Sequence, residues 1–220
     1  RGSITIIGQN DAGTFGWAFG YAYLDAPGHT DAFKAYGYER FGFAVTPDTA
    51  DNSYQLNGQE AFAVNSRDKR HGLMETLEWQ PSDKVHTTLD LYYSRFKQTQ
   101  VSRGAQWFSN GWADGATFTG VGVTPVGGSE LGTSGHFNNA VPILRNDHNT
   151  RDDELFSVGW NGEFQMTDTL SFTADLSYSS NKRDETYIET YQGYGAGPFQ
   201  TRTLDDYDFS IPVEGYPTYS

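Results

Sequence analysis

Aromatic side chains able to stack on the C–H faces of sugars gather in polar stretches of this chain. Trp107, Phe108 and Trp112 fall in one such stretch and Tyr187, Tyr191 and Tyr194 in another. Asp, Asn and Arg lie nearby in sequence and could bond sugar hydroxyls, the pairing of apolar and polar groups a ligand site needs. The competing account is that these rings pack the loops against one another. Asp147, Asn149, Asp152, Asp153 and Glu154 offer closely spaced oxygen ligands that could hold Ca²⁺, but not at EF-hand spacing. A solvated acidic entry to a strand explains them as well. His86, Asp90, Tyr92, Glu163 and Asp175 form a third set, expected to be polar because their face of the strands is turned to a water-filled lumen. Paired carboxylates can hydrolyse glycosides, yet polar residues at every second position need no catalytic role. The histidines are scattered, with no paired metal spacing. No G-x-S-x-G elbow is present, and the glycines of residues 193–197 lack the Lys and the strand-to-helix setting of a phosphate loop. The expectation is a protein that is not an enzyme and carries no cofactor.

Composition narrows the partners. A formal net charge of -13 without a long Lys/Arg run repels phosphate backbones, so nucleic acid is not expected. With no Cys, disulfides and thiolate chemistry are excluded. No apolar run approaches the roughly 20 residues of a membrane helix. Aromatics nevertheless reach 15%, with 25 Gly. That excess suits a β-barrel, whose strands show lipid only at alternate residues.

The elements that must carry these side chains read as three hairpins, at about residues 3–24, 70–97 and 154–180. In the first, Asn10-Asp11-Ala12-Gly13 is a turn, and then Phe15, Trp17, Phe19, Tyr21 and Tyr23 share one face while Gly16, Ala18, Gly20 and Ala22 share the other. The second turns at Pro81-Ser82-Asp83-Lys84 and sets Val85, Leu89, Leu91 and Tyr93 on the apolar face; Glu75 is a defect on that face in the outgoing strand. The third turns at Met166-Thr167-Asp168-Thr169, with Phe156, Val158, Trp160 and Phe164 before it and Leu170, Phe172, Leu176 and Tyr178 after it. Long polar loops are expected over residues 25–69, 98–153 and 181–220.

A soluble sandwich also alternates, so alternation alone leaves lipid and a protein core both open. Three features favour lipid. Strands of about eleven residues match a tilted transmembrane strand. Trp17, Trp79, Trp160 and Phe164 lie toward the short turns, while Tyr21, Tyr23, Tyr93 and Tyr178 lie toward the loops, as two interfacial girdles would. Short turns also alternate with long loops. The expected fold is all-β, an antiparallel transmembrane β-barrel segment of about six strands. Hydrocarbon leaves backbone groups unsatisfied unless the ring closes, and single-chain barrels begin at about eight strands, so the chain is expected to be a stretch of a longer one.

The runs Gly16-Trp17-Ala18-Phe19-Gly20-Tyr21-Ala22-Tyr23-Leu24-Asp25-Ala26-Pro27, Lys69-Arg70-His71-Gly72-Leu73-Met74-Glu75-Thr76-Leu77-Glu78-Trp79-Gln80-Pro81 and Leu89-Asp90-Leu91-Tyr92-Tyr93-Ser94-Arg95-Phe96 resemble barrel strands of proteobacterial TonB-dependent receptors, especially the carbohydrate-uptake branch. The resemblance implies an outer-membrane barrel of about 22 strands, closed by a plug domain that is not present in these residues, taking up a nutrient with energy delivered through the TonB complex. It implies membrane lipid and lipopolysaccharide as surroundings and a small molecule, preferably an oligosaccharide, as substrate. A siderophore receptor, a porin-like barrel without a plug, and a secreted soluble β-rich protein that binds or cleaves glycans are the alternatives.

Overall fold

The computed structural model describes residues 1–40, 53–108, 117–140, 142–193, 205–212 and 217–219. Every regular element among them is a β-strand. They divide into two compact units, the first made of Arg1–Gly28, Asn65–Gln100 and His148–Tyr187 and the second of His29–Val64, Val101–Asp147 and Ile188–Ser220.

Six neighbouring strands supply the first unit: β1 (Gly2–Gln9), β2 (Phe15–Ala35), β5 (Gly58–Ser82), β6 (Val85–Phe108), β9 (Ile143–Thr167) and β10 (Leu170–Ile188), hydrogen-bonded in the order β1-β2-β5-β6-β9-β10, with their residues 29–35, 58–64, 101–108, 143–147 and 188 counted in the second unit. The three expected tight turns are where the sequence puts them. Gly13 has a φ of 65°, a left-handed conformation that favours glycine. The Asn10 side-chain oxygen accepts from the backbone N–H groups of Thr14 and Phe15 at 2.9 and 3.0 Å, closing the turn. In the other hairpins, strand runs to Ser82 and Thr167 and resumes at Val85 and Leu170.

The far ends of these strands differ from expectation. Residues 25–35, 58–69, 98–108, 143–153 and 181–188, expected as loop, are strand. The physical reason is that alternation of apolar and polar residues marks a strand only where one face is apolar. Beyond that stretch both faces are polar, yet cross-strand bonds continue the ladder: Arg67 Nε and Nη2 each donate to Asp25 at 2.9 Å, and Gln98 donates to Asp68 at 2.9 Å.

Two glycines make room for the indole rings on the apolar face. A Cβ on Gly8 would lie 2.6 Å from the Trp17 ring, and one on Gly162 would lie 2.7 Å from Trp160 and 2.9 Å from Phe164. Gly8 pairs directly with Trp17 in the register of β1 and β2, so the indole lies across its neighbour strand.

The second unit has its own core. β7 (Thr117–Val126) and β8 (Ser129–Ala140) form a hairpin over Gly127 and Gly128, whose φ values of 57° and 83° suit the turn. β12 (Asp205–Ser210) and β13 (Thr218–Tyr219) extend it in the order β13-β12-β8-β7. Phe118 and Phe137 pair across the hairpin and stack at 4.6 Å, with Phe209 edge-on to Phe118 at 5.8 Å. Gly135 faces Phe209, and a Cβ there would meet that ring at 3.0 Å. Two short pairs complete the unit: β3 (Tyr38–Glu39) on β4 (Gln55–Leu56), and β11 (Tyr191–Gln192) on β9.

Candidate functional site

In the second unit the side chains converge on Arg145. Its guanidinium is 7% exposed and forks onto Asp147, Nε to Oδ1 at 3.1 Å and Nη2 to Oδ2 at 2.6 Å. Nη1 donates to Gln106 at 2.9 Å, and Nη2 lies 3.2 Å from Glu189. The Tyr191 ring packs 4.0 Å from the guanidinium carbon, a cation–π contact. Pairing of Tyr191 with Arg145 across β11 and β9 sets that stack. Tyr191 donates its hydroxyl hydrogen to Glu189 at 2.6 Å, and this bond, with burial second, raises its pKa. Thr190 N–H donates to Asp147 at 3.2 Å, fastening β11 to the network. Phe62 lies 5.8 Å from the same guanidinium.

Tyr36 donates to Glu60 at 2.9 Å in the same unit, and Lys34 lies 3.7 Å from that carboxylate. Burial, aided by the Glu60 bond, raises the Tyr36 phenol far above its usual range, so it remains a donor at physiological pH. The chemistry available is recognition: an aromatic face 50% exposed, held rigid by a buried cation and flanked by carboxylates that accept hydroxyl hydrogens.

The expected stacking residues separate under this geometry. Tyr191 belongs to the platform just described. Tyr187 is 55% exposed on β10 in the first unit. Trp107 is not available to a ligand: at 8% exposure it belongs to the second unit's core, 5.1 Å from Phe137 and edge-on to Tyr219 at 5.9 Å. Its role is packing, because the β7–β8 hairpin and its partners bury the face it occupies. Phe108 ends β6, and its side chain, like Trp112 and Tyr194, lies outside the described residues.

The polar set of the first unit forms separate cross-strand pairs. His86 and Glu78 meet at 2.7 Å, Thr76 donates to Asp90 at 2.6 Å, and Asn161 donates to Asp175 at 2.7 Å. Tyr92 and Glu163 are exposed. Each bonded carboxylate is matched by a neighbour on the adjoining strand, the pattern of a wetted sheet face.

The Ca²⁺ reading of Asp147, Asn149, Asp152 and Asp153 fails on geometry. All four lie on β9, where odd and even positions point to opposite faces, so Asp152 is turned away from the other three. Arginines already claim the carboxylates: Arg145 holds Asp147, Arg95 holds Asp152, and Arg151 and Arg183 hold Asp153. Asn149 donates to Glu185 at 2.9 Å. Among the described residues no three His, Asp or Glu side chains gather as a metal site would need.

Arg145 was not singled out from sequence. The available signal was Arg145-x-Asp147, repeated as Arg151-x-Asp153, an interval that puts both charges on one face of a strand but not of a loop. No protein-family model matches the chain, and no curated protein matches it either.

Proposed function

We propose that the chain forms part of the wall of an outer-membrane β-barrel that takes up a nutrient, with an oligosaccharide as the favoured substrate and the Arg145–Tyr191 platform as one of its contacts. The observation that carries this reading is the apolar face of the first unit. It opens with Trp17, Trp79 and Val85 near the short turns and closes with Tyr23, Leu73, Tyr93 and Phe156, and two residues further on each strand the same face turns to Asp25, His71, Arg95 and Glu154. From Val85 to Tyr93 is eight steps, or about 26 Å along a strand rising roughly 3.3 Å per residue. Tilted by about 40° such a segment rises about 20 Å, and its nine residues fall within the roughly 9–11 of a tilted transmembrane strand. Large apolar side chains along it, including Trp17, Trp79, Phe172, Leu176 and Tyr178, are exposed, a cost that lipid removes and water does not.

Coupling to TonB rests on the strand resemblance alone. The deciding experiment is cell fractionation with a gel-mobility assay, followed by uptake of a panel of glycans and ferric chelates with and without the proton-motive force. An outer-membrane protein whose unheated form migrates faster than its boiled form, and which loses glycan uptake when the force is dissipated, supports the reading. A protein soluble without detergent overturns the barrel. Transport of ferric chelates alone overturns the oligosaccharide.

A further inference from the structure

In the second unit β5 presents different chemistry on its two faces. Glu60 and Phe62 belong to the face of Tyr36 and Arg145, where the platform lies. Gln59, Ala61 and Ala63 point the other way, as alternate residues of a strand must. The Tyr36 N–H bonds the Gly58 carbonyl at 2.9 Å across β2 and β5, a register that sets Phe33 opposite Ala61 and Asp31 opposite Ala63. With Pro217 and Tyr219 these residues line a cavity of about 410 Å³, bordered by the edge of Phe62. That is room for a small molecule.

A buried polar group faces that room. Gln59 is 5% exposed, and its side-chain carbonyl accepts the hydroxyl hydrogen of Tyr219. That is the one hydrogen bond of this side chain among the described residues, so its amide nitrogen, a donor, stands beside the cavity without an acceptor. A buried donor left unbonded carries a cost that a ligand oxygen removes. The walls around it are the Phe33 and Phe62 rings, the methyl groups of Ala61 and Ala63 and the Pro217 ring, whose side chains neither donate nor accept. Asp31 stands at the other end, about 13 Å along β2 from the position opposite Gln59. Its carboxylate is exposed, with His29 Nε2 3.3 Å away.

We propose that this cavity binds an uncharged, largely apolar small molecule through a carbonyl oxygen, an aromatic or alicyclic ketone, ester or amide, with Gln59 Nε2 as the donor. Each wall sets one part of that choice. The rings and methyl groups select an apolar body, and the Gln59 amide selects an oxygen that accepts. An alcohol would bring a hydrogen that these walls cannot accept, and a sugar would bring several, each losing water without a replacement bond. Asp31, on a protein whose formal net charge is -13, disfavours carboxylates. The site thus differs from the Arg145–Tyr191 platform in the face of β5 it uses and in the ligand it takes. It goes beyond the transport reading and does not require the sheet to meet lipid.

The test titrates the full chain with acetophenone, its hydrocarbon analogue ethylbenzene and its anionic analogue benzoate, and reads binding by saturation-transfer NMR. Acetophenone is expected to bind about tenfold more tightly than ethylbenzene, the effect of one hydrogen bond, and benzoate more weakly than either. Ala61→Leu crowds the cavity while keeping Gln59 and Tyr219, and is expected to lower acetophenone affinity about tenfold or more. Gln59→Glu keeps an acceptor for Tyr219 and removes the donor, so acetophenone and ethylbenzene then bind alike. Should that variant fail to fold, Ala61→Leu, at an exposed position, and the three probes on the unaltered protein decide the matter. No acetophenone binding, or binding unchanged in Ala61→Leu, overturns the site. Equal affinity of the unaltered protein for acetophenone and ethylbenzene overturns Gln59 as the donor, and benzoate binding as tightly as acetophenone overturns the uncharged class. A failed fractionation or uptake result bears on the transport reading and leaves these outcomes as they are.

Discussion

At the residue scale, Tyr191 and Arg145 act as one unit. Removing the ring takes away the exposed face but leaves the buried Arg145–Asp147 pair intact, so under the oligosaccharide reading Tyr191→Ala is expected to weaken glycan binding about tenfold, equivalent to roughly 1.4 kcal/mol, with little change in stability. Isothermal titration against the panel of glycans checks this, and an unchanged affinity removes Tyr191 from the proposed site. Asp152 gives a pH prediction. Its bond to Arg95, supported by Lys97, lowers its pKa to about 2. A carboxyl depressed in the folded state contributes stability that is fully present above the ordinary value of 3.8 and is lost as pH falls toward 2. Amide exchange in β6 and β9 is therefore expected to rise across that window in the native protein and to rise less in Asp152→Asn. Glu75 stays on the apolar face at the register position of Leu91, and nothing around it explains a carboxylate there. Under the barrel reading Glu75→Leu stabilises the protein by roughly 1–2 kcal/mol in denaturant titration from lipid vesicles; a loss of stability would argue that this face does not meet hydrocarbon.

At the element scale, the two ends of each strand obey different rules. Near the short turns the pattern of large and small residues is set by what a flat face must accommodate. Gly162 is small because Trp160 and Phe164 lean over it, and any side chain there must displace an aromatic ring. Gly162→Val is expected to cost about 1–3 kcal/mol by overpacking, with a shift in tryptophan emission as the Trp160 indole moves; unchanged emission and stability would show that the ring relaxes freely. At the far ends no such pattern exists, and strands of 25 residues in β5 and β9 persist through ion pairs and backbone ladders. Periodicity therefore located the turns and the apolar stretch of each strand. It ended β2 near Leu24, while the strand continues to Ala35, because a ladder of backbone hydrogen bonds needs no alternation of side-chain polarity.

At the scale of the whole molecule, two units with different cores coexist in one chain. The first is a sheet whose apolar residues lie largely exposed on one face, whereas the second buries Phe118, Phe137, Phe209 and Trp107 together. Phe137 has no exposure at all, so Phe137→Ala is expected to cost about 3–5 kcal/mol within that unit. Hydrogen exchange should then show loss of protection in β7, β8 and β12, and unchanged protection there would mean that the cluster is not what holds those strands.

By itself the sequence determined the all-β class, the three tight turns, the two faces of each hairpin and the aromatic rims of the apolar face. Those are local properties: Asn10 and Gly13 dictate their turn, and a period of two dictates which residues share a face. The tertiary structure decided what the remaining aromatic and charged residues do. Trp107 and Tyr191 look alike as aromatics in polar surroundings, yet partners distant in sequence bury the first beside Phe137 and leave half of the second open over Arg145. Asp147 and Asp152 look like one acidic group, yet strand pleating and arginines on neighbouring strands send them to opposite faces. Burial and pairing depend on what packs across the sheet, and that is a property of the register between strands, which no single segment carries.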